Sequence, residues 1–91
     1  MAGTDGPGAA MNIEEIGEPI RVLADCRGGQ IEPLRFRWGE RTYKVDRVNG
    51  RWVDRGGDGY ALHYSVQCGE ETYYIHFASV EAQWWLDQAI V

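Results

Sequence analysis

Apolar and polar residues alternate along much of this chain, which is the pattern of β-strands that bury one face. In residues 18–25, Ile20, Val22 and Ala24 fall on one side, and residues 31–38 repeat the alternation. The polar, glycine-rich stretch between these two segments is typical of a turn. The pattern therefore predicts two strands that are joined by a turn.

A short phrase occurs twice in the sequence, thirty residues apart. Residues 36–45, FRWGERTYKV, are echoed by residues 66–75, VQCGEETYYI, with Gly-Glu, Thr-Tyr and a β-branched residue at the same places. Glycine adopts a positive φ without a steric penalty, so Gly39 and Gly69 suit the first central position of a type II′ turn. Each copy is therefore predicted to form a β-hairpin.

Counting outward from these two turns predicts which residues lie opposite each other. Phe36 then faces Tyr43 in the first hairpin, and Tyr64 faces Ile75 in the second. The bulky residues of each hairpin share one face, which predicts a core made of Leu34, Phe36, Trp38, Tyr43, Val45, Trp52, Leu62, Tyr64, Val66, Tyr73, Ile75, Phe77, Trp84 and Leu86.

Two other segments carry local signals. Asn49-Gly50 is a strong hairpin signal and predicts a type I′ turn between residues 43–48 and 51–54. Residues 80–91 fit two structures: a helix capped by Ser79 with an apolar stripe, or a strand with apolar residues at alternate positions. Periodicity alone leaves helix and strand open for this tail.

Length and composition predict one small all-β domain. Residues 1–17 have almost no apolar pattern and are expected to be a disordered leader, with Met11 as a candidate start. Residues 18–91 are then a single domain, in which four Trp, five Tyr and two Phe supply a large buried area. The expected architecture is a small antiparallel barrel or sandwich of about seven short strands built from repeated β-hairpins.

The net charge of −5 conceals a segregation of charge. All nine basic residues lie between Arg21 and Arg55, and no Lys or Arg follows residue 55. Cations on a sheet with interleaved aromatic rings are typical of nucleic-acid binding. Pairing of this basic face with the acidic C-terminal half, within one molecule or between two, explains the segregation equally well. The candidate nucleic-acid contacts are Arg35, Arg37, Arg41, Lys44 and Arg47.

The two histidines form the candidate metal site. In the predicted register His63 lies opposite His76, at a separation that lets two imidazoles share a zinc or nickel ion. A stable site needs at least a third ligand, and the candidates near in sequence are Glu71, Asp58 or a cysteine. The alternative interpretation is a pair of histidines that simply face solvent.

Several classes of protein lack support in the sequence. No apolar run approaches the roughly 18 to 20 residues needed to span a bilayer, and no secretory signal is present, so the expected location is the cytoplasm without a membrane partner. In that reducing compartment a disulfide between Cys26 and Cys68 is not expected. No nucleophile motif, phosphate-binding loop or facing acid pair occurs, so no enzyme activity, catalytic residue or cofactor is predicted.

The segment Pro33–Gly39, then Tyr43-Lys44-Val45, Trp52, a Tyr-rich strand and Trp84-Trp85-Leu86 together resemble a family of small bacterial all-β domains. That family shares a P-x-x-F-x-W, Y-x-V, W, Y and W-x-L spine, and some members accompany proteins related to translesion DNA polymerases. The resemblance covers residues 18–87. It implies an all-β module and a final strand from Gln83 to Ile90, and it supplies no catalytic residues.

These observations predict a non-enzymatic interaction or accessory module. Its partner is expected to be another protein or a second copy of the chain, received at an exposed sheet edge or by hydrophobic contact. The alternative is a nucleic-acid-binding protein that acts through the basic hairpin, in keeping with a place in DNA repair.

Overall fold

The computed structural model describes residues 12–91, which contain seven β-strands and no helix. All neighbouring strands are antiparallel and form one sheet in the order β3-β2-β1-β7-β6-β5-β4. The strands are β1 Ile13–Arg27, β2 Gln30–Trp38, β3 Arg41–Lys44, β4 Arg47–Asp54, β5 Ala61–Cys68, β6 Glu71–Ala78 and β7 Gln83–Ile90.

The sheet curls into a half-barrel because its two edge strands follow each other in the chain. Only Val45 and Asp46 separate β3 from β4, although these strands lie at opposite edges of the sheet. Three Cα–Cα steps reach at most about 11 Å, so the two edges must meet at this corner. There the Val45 N–H donates to the Leu34 carbonyl at 2.9 Å, and the Asp46 N–H donates to the Gln67 carbonyl at 2.7 Å. Of the two predicted architectures, the barrel type is therefore the one that forms.

The two predicted hairpins are confirmed. Gly39 and Gly69 have φ values of +62° and +64°, and each begins a two-residue turn. Phe36 pairs with Tyr43, and the second hairpin runs in register from Cys68–Glu71 to Ala61–Ala78. Because these registers hold, His63 lies opposite His76, as the sequence predicts.

The predicted turn at Asn49-Gly50 is wrong. Strand β4 runs straight through this pair, and the register shifts there because Val48 pairs with Val66 while Gly50 pairs with Ser65. Asn49 is therefore the extra residue of a β-bulge. Its side chain is held in the sheet, since it accepts from Arg47 Nε at 2.9 Å and donates to Gln67 Oε1 at 3.1 Å.

The first strand begins earlier than the sequence predicts, whereas the last strand matches one of the two predicted alternatives. Strand β1 starts at Ile13, five residues before the predicted domain boundary at residue 18. The part of the predicted leader in residues 1–11 lies outside the described residues. At the other end a turn at residues 79–82 precedes β7, so the strand alternative for the tail is confirmed. No helix able to cross a membrane occurs in residues 12–91.

The core lies on the inner, concave face of the sheet, where the bulky residues of the two hairpins meet β1 and β7. Phe36 packs against the Tyr43 and Tyr73 rings at centroid distances of 5.0 and 5.4 Å. Most of the predicted core is buried or packed against it. The buried apolar cluster is Ile20, Phe36, Tyr64, Val66, Tyr73, Ile75, Leu86 and Ala89.

The assignment of two residues to the core is wrong, and a β-bulge explains each case. Leu34 is 45% exposed because it is the extra residue where β2 shifts register against β1. Trp52 is 47% exposed because the Asn49 bulge inverts the face of every residue after it in β4. Trp52 therefore pairs with His63 on the outer face, whereas Val53 turns inward.

Candidate functional site

The half-barrel is open along one side. Within residues 12–91, strand β3 pairs only with residues 35–38 of β2, and β4 pairs only with β5. In this part of the chain, residues 30–33 of β2 and residues 51–54 of β4 therefore each have one edge without a neighbouring strand. We call the gap between these two segments the open seam.

Side chains cross the open seam where backbone hydrogen bonds do not. The Arg51 guanidinium donates to both Glu32 carboxylate oxygens, at 2.7 and 2.9 Å. The Tyr64 hydroxyl donates to the Ile31 carbonyl at 2.6 Å. The hydrogen bond to Glu32 raises the pKa of Arg51, and burial raises the pKa of Tyr64. These contacts hold the two segments at a fixed separation without closing the sheet.

A cavity of about 430 Å³ lies beside the open seam. Val53, Leu62 and Tyr64 of the inner face line it, as do Trp52 and His63 at the outer side, and Val53 remains 48% exposed there. Tyr60, which is 42% exposed, and Arg55 stand at its rim. The cavity therefore offers apolar surface next to two free strand edges.

The outer face carries the second candidate feature, a cluster of His63, His76 and Asp87 on three adjacent strands. The two imidazole rings stack with centroids 5.0 Å apart, and Trp52 stacks on the other side of His63 at 5.3 Å. His76 Nδ1 lies 2.9 and 2.8 Å from the two Asp87 carboxylate oxygens. One ligand atom from each of the three residues lies within 4.8 Å of the others.

Asp87 follows the buried Leu86, so strand alternation places it on the outer face. Ile75 pairs with Leu86 and Tyr74 pairs with Gln88, which leaves Asp87 as the extra residue of a bulge beside His76. Burial, together with the neighbouring His76 charge, lowers the pKa of His63. The neutral, metal-binding form of this imidazole is therefore favoured.

The predicted nucleic-acid contacts divide between two places. Arg35 and Arg37 lie on the outer face, where they pair with Lys44 and Thr42 of β3. Arg41 pairs with Trp38 and lies 5.5 Å from the Tyr43 ring, and Arg47 belongs to β4. Sequence reasoning missed one further member of the outer group, Arg21, which pairs with Arg37. Among residues 12–91 no carboxylate forms a salt bridge with Arg21, Arg35, Arg37 or Lys44.

The cysteines do not extend either site. Both are free thiols, and Cys26 is exposed. Burial, with the nearby Asp46 and Glu71 charges, raises the pKa of Cys68 to about 11. Its thiol is therefore protonated at neutral pH and is a poor nucleophile and metal ligand.

The sequence supplied two of the three residues in the histidine cluster. The third ligand predicted from nearness in sequence, which is Glu71, Asp58 or a cysteine, is wrong, because the structure brings Asp87 to the two histidines instead. Comparison of the chain with family models, with curated proteins and with solved structures finds no match.

Proposed function

We propose that this protein is a non-enzymatic interaction module that binds an extended segment of a partner protein in the open seam. The observation that carries the proposal is a pair of strand edges, residues 30–33 and 51–54, that are unpaired within residues 12–91 and flank a cavity with both apolar and polar lining residues. An extended peptide can add to such an edge through main-chain hydrogen bonds, while its alternate side chains enter a neighbouring pocket.

The surroundings of the open seam indicate the chemistry of the partner. Val53, Leu62 and Tyr60 favour an aliphatic or aromatic side chain in the cavity. Arg55 at the rim forms no salt bridge with any residue in 12–91, so it favours a carboxylate on the partner. The expected partner segment is thus extended, with apolar residues at alternate positions and an acidic residue beside them.

A selected peptide tests this proposal. Linear peptides are selected from a random display library on the immobilised full chain, and the best binder is titrated into ¹⁵N-labelled protein. We expect the largest amide shifts in residues 30–33 and 51–54. Val53→Lys is expected to weaken binding about tenfold or more, because it places a charge in the apolar cavity. The matched control is Val80→Lys, at a position that is 71% exposed in the turn before β7.

A backbone-modified peptide distinguishes strand addition from simple side-chain contact. Two peptides are compared, one methylated at the odd-numbered backbone amides and one at the even-numbered amides. Only alternate amides of an added strand donate to the protein edge, so one of the two peptides is expected to lose binding. Shifts confined to another surface, or equal binding by Val53→Lys and the control, would refute the open seam as the binding site.

A second candidate function is nucleic-acid binding by the outer face of β1, β2 and β3. The specific observation in its favour is the set of four cations without carboxylate partners in the described chain: Arg21, Arg35, Arg37 and Lys44. A groove of about 260 Å³ runs between the first three of these side chains. Such a group can neutralise consecutive phosphates of a single strand.

Fluorescence anisotropy with labelled single-stranded DNA tests this second function. For three or four neutralised phosphates, the slope of log K against log salt is expected to be about −2 to −3. The double variant Arg35→Glu, Arg37→Glu should lose binding, whereas Arg55→Glu, a single charge reversal at the seam rim, should keep most of it. Absence of binding at about 50 mM salt would dismiss this function.

A further inference from the structure

We propose that His63, His76 and Asp87 bind a divalent transition-metal ion on the outer face of the sheet. This site lies apart from the cationic face, whereas His63 and its stacking partner Trp52 also line the cavity beside the open seam. It is carried by the convergence of two imidazoles and one carboxylate whose ligand atoms all lie within 4.8 Å of one another. Two histidines and a carboxylate on one side of an ion are a common ligand set for Zn²⁺, Co²⁺, Ni²⁺ and Fe²⁺.

The three side chains are held in place by their neighbours. They stand on β5, β6 and β7, which are adjacent and hydrogen-bonded along most of their length. Trp52 stacks on the His63 ring with an interplanar angle of 5°, and Asp87 lies against His76 Nδ1, where its carboxylate is poised beside the same nitrogen. All three residues are half-buried. A preorganised and partly dry site loses less free energy on binding an ion than three mobile surface side chains would.

Two of the three ligand atoms already lie at a coordinating distance from each other. Ligand atoms about 2.1 Å from an ion are about 3.0 Å apart along an octahedral edge and about 3.4 Å apart in a tetrahedron. His76 Nδ1 and Asp87 Oδ2, at 2.8 Å, span one such edge, and His63, whose ligand atom lies within 4.8 Å of both, must turn out of its stack with His76 to supply the third. When the ion takes the lone pair of His76 Nδ1, that nitrogen gives up its proton and Nε2 carries the one proton of the neutral ring.

The ligand set also indicates which ions are excluded. Two nitrogen donors and a single carboxylate do not suit Ca²⁺ or Mg²⁺, which prefer all-oxygen sites. Three protein ligands leave at least one position on a tetrahedral ion for water or an outside ligand. The proposed site therefore has room for a donor group from a bound molecule or a second chain.

Metal titration of the untagged full chain, stripped with a chelator, tests the site. We expect one Zn²⁺ to bind per chain by calorimetry, and Co²⁺ to give visible absorption bands without a thiolate charge-transfer band. His63→Gln and Asp87→Asn should each weaken Zn²⁺ binding by about tenfold or more. Two controls should bind Zn²⁺ as the parent does: Asp58→Asn, in the loop before β5, and the double variant Cys26→Ser, Cys68→Ser.

Shifts of the imidazole proton resonances in the unmodified protein give a second readout that does not depend on any variant folding. Both His63 and His76 should shift with one Zn²⁺ equivalent. Three results would each overturn the three-ligand site. They are Zn²⁺ binding that does not saturate, an imidazole of His63 or His76 that does not shift, and Zn²⁺ binding to Asp87→Asn that is as tight as binding to the parent.

Discussion

Val66→Asp is expected to leave the protein unfolded. Val66 is 0% exposed and lies between Val48 of β4 and Tyr73 of β6 on the inner face. The only polar residue among the buried positions of the described chain is Ser65, so no cation is available for a new carboxylate. A buried, unpaired acid costs about 4–5 kcal/mol or more, which approaches the whole stability of a domain of this size.

Far-UV circular dichroism and the spread of amide resonances measure this outcome. The matched control is Val80→Asp, because Val80 is 71% exposed, and its stability is expected to stay within about 0.5 kcal/mol of the parent. A folded Val66→Asp protein with dispersed resonances would contradict the assignment of Val66 to the core.

Phe36→Ala is expected to cost about 3–5 kcal/mol of unfolding free energy. Phe36 is 1% exposed, stacks on Tyr43 and meets Tyr73 edge to face. Its removal leaves a cavity where three strands meet, in addition to the lost transfer free energy of the ring. Urea denaturation with an unchanged m value would report this loss as a lower midpoint.

Leu34→Ala is a control that distinguishes the exposure of Leu34 in the structure from the burial that the alternating sequence pattern predicts. Simple alternation places Leu34 and Phe36 on the same buried face, which predicts comparable losses of unfolding free energy when either is replaced by Ala. The structure places Leu34 in a bulge with 45% exposure, so its truncation should cost less than about 1 kcal/mol. Equal losses for the two variants would show that the bulge is absent.

The parts of the fold that depend on short-range signals could be predicted from the sequence. Gly39 and Gly69 fix two-residue turns, and a two-residue turn fixes the register of both its strands. The pairing of His63 with His76 followed from that register alone. The final strand required more than periodicity, because residues 80–91 fit a helix equally well before the sheet is known.

The parts that depend on long-range pairing could not be predicted. Asn49-Gly50 has strong turn propensity, yet pairing of β4 with β5 over its full length overrides it and converts the pair into a bulge. A bulge has no reliable sequence signature, and each one inverts the faces that follow it. This is why the exposure of Trp52 and its contact with His63 appeared only in the structure. Asp87 comes close to His76 only because β7 pairs with β6.

The cationic face shows the same limit. Arg35, Arg37 and Lys44 belong to one hairpin, so local register places them together. Arg21 joins them only because β1 lies beside β2 in the sheet order. Conversely, nearness in sequence put Arg41 and Arg47 in the predicted group, although strand alternation and the corner at Val45-Asp46 separate them from it.

Nuclear Overhauser contacts between backbone protons test the open seam most directly. Paired antiparallel strands bring opposite backbone protons close together, so strong contacts are expected along every ladder of the sheet. None are expected between residues 30–33 and residues 51–54, while the Tyr64 ring should contact Ile31 across the gap. A continuous series of backbone contacts joining these two segments would show a closed barrel and would contradict the open half-barrel.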